Sequence, residues 1–162
     1  MKGGLGTASR RLPSGAVVGA VVAVNCVGDV IDPSSGAIIA GARLPSGGGF
    51  LDTARWMLEG GQPRAGIGAN TTIAVVATDA HLSKAQANRL AVLAGHGISR
   101  AIRPATVFDG DIVFALAAAQ PGRSEELSLL GAAAAETLSV AIVRAVQAAR
   151  SLHGYPAASG LP

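Results

Sequence analysis

The chain has 162 residues, 49% of them apolar and only 14% charged, with 22 glycines and a net charge of +3. That length supports one domain with a real core, and that composition excludes disorder over most of it, because a disordered chain is polar and charged. The positive charge is spread over dispersed arginines, with Arg10-Arg11 the one adjacent pair, and five aromatic residues offer bases little to stack on, so no nucleic-acid partner is expected.

Lys2-Gly3-Gly4-Leu5-Gly6-Thr7 reads as a glycine-rich turn with no element before it to turn from. The expectation is an internal loop of a longer protein, of which this chain is a fragment. Met1-Lys2 leads into glycine and not into an apolar helical segment, so no signal peptide is expected. The uncharged stretch 12–28 approaches membrane-spanning length, but Pro13, Ser14, Gly15, Gly19 and Asn25 interrupt it and valine dominates it. It reads as a strand, and no membrane is expected. Residues 16–24 are too continuously apolar to alternate, which predicts a strand buried on both faces. The flanks of Cys26, the single cysteine, place it in a buried strand as an inert thiol; an internal disulfide is excluded, and a reducing cytoplasm suits the chain.

Gly28-Asp29 bends the strand, residues 32–36 (Asp-Pro-Ser-Ser-Gly) form a turn, and 37–41 return as the second arm of a hairpin. From 43 to 70 the sequence loses periodicity, and its Gly- and Pro-rich segments read as flexible. A strand follows at 71–78. An amphipathic helix covers 82–94, with Leu82, Leu90 and Leu93 on one face, Ser83 as its cap, Lys84 and Arg89 solvated, and Gly95 or Gly97 ending it. Residues 112–116 form another strand after the Asp109-Gly110 turn. A long alanine-rich helix opens at Ser124 and reaches about Arg150, with an interruption near Gly131. Its early acids and its late Arg144 and Arg150 suit the helix dipole. The tail from Gly154 is expected to be disordered. The order predicts an α+β fold with helices packed on a sheet.

One junction carries chemistry. The glycine-spaced loop 65–70 (Ala-Gly-Ile-Gly-Ala-Asn) runs into Thr71, a hydroxyl residue that opens a strand. Cleavage between Asn70 and Thr71 would give Thr71 a hydroxyl nucleophile and a free α-amine to act as its base, with an unperturbed pKa of about 7.7–8.0. Asn25 is able to offer a side-chain N–H to an oxyanion, or is a polar strand end beside a turn. Asp109 and Asp111 are able to share a proton or hold the Thr71 ammonium, though Asp-Gly-Asp is equally a common turn. His81, His96 and His153 have no ligand spacing and read as surface or helix-end residues; no metal and no cofactor is expected. Ser9 and Ser83 read as turn and cap residues, not nucleophiles.

Three segments in this order resemble the P1 peptidases, family S58, which comprise L-aminopeptidase/D-esterases and β-aminopeptidases. They are Lys2 to Arg10, the strand from Val18 to Gly28 with its asparagine, and Asn70-Thr71 with Asp109-Gly110-Asp111 behind it. The resemblance implies a four-layer αββα sandwich, of which this chain would be a part. It further implies autocatalytic cleavage at Asn70–Thr71, residues 1–70 ending the α-chain region and 71–162 forming the β-chain region. By the same resemblance Thr71 is the nucleophile, Asn25 contributes to the oxyanion hole and Asp111 is the acidic group near the amine, while Asp109 stands where the family has serine. The implied activity is release of N-terminal residues from short peptides, amides or esters through an acyl-enzyme. The implied partners are further copies in an oligomer, or a missing N-terminal half. Two other readings remain: a non-catalytic remnant or subunit, and an ornithine acetyltransferase-like enzyme, whose usual Lys-Gly-x-Gly-Met stretch this sequence lacks.

Overall fold

The computed structural model describes residues 2–63, 70–106 and 108–158. The glycine-spaced loop before Asn70 therefore lies outside the described residues, apart from Asn70 itself. In chain order the elements are β1 (Gly4–Arg11), β2 (Val17–Asn25), β3 (Asp29–Ile31), β4 (Ile38–Ala40), α1 (Thr53–Leu58), β5 (Thr71–Thr78), α2 (Lys84–Ala101), β6 (Ile102–Arg103), β7 (Ile112–Ala117) and α3 (Leu127–Ala148). This is the expected α+β fold. One sheet has the order β1-β2-β5-β7 and a smaller one the order β4-β3-β6. The large sheet is antiparallel except for β5 and β7, which run parallel with α2 as their crossover. Strands from both sides of position 70 share that sheet, so the two regions of the chain form one folded unit.

Side chains on strands alternate between faces, and the register sorts them. Val18, Ala20, Val22, Val24, Ala74 and Val76 point to the helices and are buried. They meet Leu90, Ala94 and Ile98 of α2 and Leu130, Leu138, Ile142 and Val146 of α3 in one core. Glycines make close approach possible. A Cβ at Gly6 would collide with the Ala141 carbonyl, and one at Gly97 with the Ala135 carbonyl, so α3 lies directly against β1 and against α2. The apolar length of α3 is explained by this position, since 67% of its most hydrophobic window is buried.

The opposite face of the large sheet is open. Its rows, read across β1, β2, β5 and β7, are Leu5–Ala23–Ile73–Ile112, Thr7–Val21–Val75–Phe114 and Ser9–Gly19–Ala77–Leu116. Leu5, Val21, Ile73, Phe114 and Leu116 are all exposed there, between 47% and 65%.

Several expectations are corrected. The segment at 2–7 is not a turn: from Gly4 it is β1, and Ser9 is a strand residue. Strand β2 is not buried on both faces but alternates, because helices cover only one side. The second hairpin arm, β4, pairs with β3 in the small sheet and not with the 16–24 strand. Its turn is as expected, with Asp32 Oδ1 accepting from Ser34 N at 2.8 Å and from Ser34 Oγ at 2.7 Å.

Within the aperiodic 43–70 stretch lies α1. It is held by Asp29, which is fully buried and accepts from Thr53 N (2.6 Å), Thr53 Oγ1 (2.9 Å) and Ala42 N (3.2 Å). Helix α2 begins as expected, with Ser83 and Gln86 forming a reciprocal cap, but passes through Gly95 and Gly97 to Ala101. Gly97 is there to admit α3, not to stop a helix. Helix α3 starts at Leu127, with Glu126 as its cap, runs unbroken through Gly131 and ends before Arg150. The tail as far as Ala158 is placed, not disordered: Pro156 O accepts from Lys2 N at 3.0 Å and Ala157 is buried.

Candidate active site

Three strand ends meet at one corner of the large sheet. Asn25, the last residue of β2, is the register partner of Thr71, the first residue of β5, and the loop 109–111 leads into β7 beside it. Thr71 falls on the open face with Ile73 and Val75, while Thr72 turns inward and is fully buried. Asn25 shares the open face with Val21 and Ala23.

The Asn70–Thr71 peptide is gripped from several directions. Thr71 Oγ1 donates to the Asn70 carbonyl oxygen at 2.5 Å. Gly110 N donates to the same oxygen at 3.0 Å. Asn70 Nδ2 reaches the Asn25 carbonyl at 3.3 Å, and Asn70 forms a parallel bridge with Asp109. The nucleophile candidate thus touches the carbonyl of the bond that precedes it.

The two acids do not pair with each other through a hydrogen bond in the described contacts. Each fastens a different segment. Asp109 accepts from Val27 N at 3.0 Å through Oδ1 and from Thr106 Oγ1 at 2.7 Å through Oδ2. Asp111 Oδ1 accepts from Thr72 N at 2.7 Å. Burial pushes the Asp111 carboxyl above the ordinary carboxylate range; the Thr72 N–H opposes this and the charge of Asp109 adds to it. Cys26, next to Asn25, is raised to about 12, first by burial and then by Asp109. Its thiol donates to the Gly28 carbonyl at 3.2 Å; contrary to expectation Cys26 is not in a buried strand but lies just past the end of β2, half-buried.

Thr71, Asn70, Asn25, Asp109 and Asp111, all singled out from the sequence, are therefore brought together. Gly110, Thr106 and the Val27 N–H were not. In the sequence Gly110 reads only as a turn residue between two carboxylates. His81, His96 and His153 are exposed and lie on separate elements. Among the described residues no group of three or more His, Cys, Asp or Glu is arranged to hold a metal ion.

The sequence matches peptidase family S58 over residues 1–159. A protein named as an uncharacterized aminopeptidase of Mycobacterium leprae is 42% identical over 183 residues, covering 99% of this chain and 49% of its own. The chain spans about half the length of the curated relatives it matches. Among solved structures, the L-aminopeptidase D-Ala-esterase/amidase of Ochrobactrum anthropi, described as a variant of the Ntn hydrolase fold, superposes with a TM-score of 0.62 at 27% identity. The overlap is 96% of this chain and 43% of that one. A β-aminopeptidase of a Burkholderia species gives 0.57 at 29% identity, over 97% and 45%. With nearly the whole chain matched and the fold shared with both enzymes, the chain belongs to peptidase family S58.

Proposed function

We propose that this chain is the nucleophile-bearing part of an aminopeptidase that cuts itself between Asn70 and Thr71. It then uses Thr71 to release N-terminal residues from short peptides, amides or esters. The observation that carries this reading is the 2.5 Å contact from Thr71 Oγ1 to the carbonyl of its own preceding peptide, at the first residue of a strand paired on both sides. A hydroxyl in that place is next to the carbon it must attack.

Once the bond is cut, the α-amine of Thr71 takes the hydroxyl proton, and Oγ1 attacks the substrate carbonyl. The leaving amine or alcohol departs with that proton, and water hydrolyses the acyl-enzyme. Asn25, opposite Thr71, supplies an N–H to the oxyanion. Asp111, fixed on the amide next to Thr71, lends negative charge to the new ammonium, with Asp109 behind it. The site needs no cofactor for this chemistry.

The partner is the part of the protein that the relatives have and this chain does not span. The relatives carry about as much sequence again, and the open face of the large sheet presents exposed apolar rows that none of the described residues covers. A second layer from that remaining sequence would bury Leu5, Val21, Ile73, Phe114 and Leu116. Thr71 and Asn25 share that face, so the same layer would close the substrate pocket.

Intact-mass measurement tests the reading. Two products meeting at Asn70/Thr71, lost in Thr71→Ala, together with turnover of aminoacyl p-nitroanilides, are expected. A single uncut chain without turnover refutes it and leaves a non-catalytic subunit.

A further inference from the structure

Self-cleavage puts negative charge on a different oxygen from the one that substrate hydrolysis does. When Thr71 Oγ1 attacks, the Oγ1–C bond forms and the carbonyl electron pair moves onto the oxygen of Asn70. The C–N bond to Thr71 then breaks, and the hydroxyl proton ends on the Thr71 nitrogen. The product is an ester, which water splits into an Asn70 carboxylate, a free hydroxyl and a free amine. The transition state needs a donor on the Asn70 oxygen.

Among the described residues two contacts meet that oxygen, the Thr71 hydroxyl at 2.5 Å and the Gly110 N–H at 3.0 Å. The hydroxyl cannot donate to the oxygen and attack the carbon at once. The backbone donor is the contact that persists. We infer that the Gly110 N–H is the oxyanion donor of the self-cleavage step, and that Asp109 and Asp111 are the positioning residues that aim it. This rests on the proposed cut at Asn70–Thr71.

Two further observations support the assignment. A Cβ at position 110 would stand 3.1 Å from Thr71 Oγ1 and 3.9 Å from the Asn70 oxygen, crowding the atom that must move. Glycine leaves that space clear. The loop is also tied on both flanks, Asp109 to Val27 N and Thr106 Oγ1, Asp111 to Thr72 N, so the amide between them is held before the reaction begins. Preorganised donors are worth more than donors that must be gathered during the step.

The test replaces Gly110 with glycolic acid, in the protein expressed as its gene encodes it. This exchanges the N–H for an ester oxygen and adds no side chain. The rate at which uncut protein disappears is followed by intact mass, with circular dichroism to establish folding. A loss of about 10²–10³-fold is expected. A folded variant that cleaves at the parent rate overturns the inference while leaving the self-cleavage reading intact. A parent protein that never cleaves overturns both.

Should the ester variant not fold, Asp109→Ala and Asp109→Asn are compared. Alanine frees the loop and slows cleavage, whereas asparagine still accepts from Val27 N and restores part of the rate. Parent rates in both, or equal losses in both, overturn the positioning assignment.

Discussion

Phe114→Ala separates a sheet face that is bare from one that is covered. Phe114 is 52% exposed in the described structure. A phenylalanine buries roughly 200 Å² when fully covered, so about 100 Å² remains to be hidden. At ~25 cal/mol per Å² that is about 2.5 kcal/mol which the residue contributes only once something packs on it. With the proposed second layer in place, an excess destabilisation of that size is predicted over the effect of the same change on residues 1–162 alone. If the covering part is supplied separately, the loss reads as roughly 60-fold in pairing affinity, at 1.4 kcal/mol per factor of ten.

Urea denaturation of both forms measures the first quantity and titration calorimetry the second. Leu58→Ala serves as control, because Leu58 is 90% exposed on α1 and does not belong to the open rows. Its effect should be the same in both settings. Equal costs for Phe114→Ala in the two settings would refute the covered-face reasoning, as would a monomer of residues 1–162 that stays soluble without burying this surface.

Three other outcomes follow from the same contacts. Asp111 is raised by burial, so the folded state binds more protons than the unfolded one between the unfolded carboxyl pKa and the raised value, and stability falls as pH rises through that window. Asp111→Asn removes this fall, and thermal melts from pH 3.5 to 7 should show a flatter profile than the parent. Gly97→Ala forces a methyl against the Ala135 carbonyl and Leu138, separating α2 from α3, and should cost about 1–3 kcal/mol in urea denaturation. Asp29→Ala leaves the Thr53 and Ala42 donors without their acceptor and should cost about 3 kcal/mol; proteolysis within 42–58 should quicken more than elsewhere, since this carboxylate ties that segment down.

Most of the site was legible because its chemistry rides on side chains with a distinctive order: an asparagine ending a valine-rich strand, Asn-Thr opening another, Asp-Gly-Asp before a third. The part that was missed is backbone chemistry. Gly110 contributes an N–H and an absent Cβ, and neither leaves a mark beyond the letter G, which a turn explains equally well. The fold errors have a similar cause. From the sequence Gly6, Gly97 and Gly131 look like breaks in local structure, yet each lies inside a strand or helix where a neighbouring backbone or side chain comes too close for a methyl. Glycine disfavours regular structure only by about 1 kcal/mol, which tertiary packing readily overrides. The valine run of β2 suggests two-sided burial because hydrophobicity does not distinguish a face covered by helices from an exposed one. Helix α1 is too short to show a period, and the buried carboxylate that fixes it is distant in sequence.

Cys26 gives this corner a built-in gauge. Burial pushes the thiol up to about 12, so at pH 7 far less of it carries a thiolate than in an unperturbed cysteine. Alkylation by a neutral maleimide should be correspondingly slow while Asp109 and the surrounding strands are in place. Because residues 1–162 hold a single cysteine, one mass increment on that chain reports the state of this one position. Any change that loosens the junction of β2, β5 and β7 should register as faster labelling, so the site can be followed in time without introducing a probe.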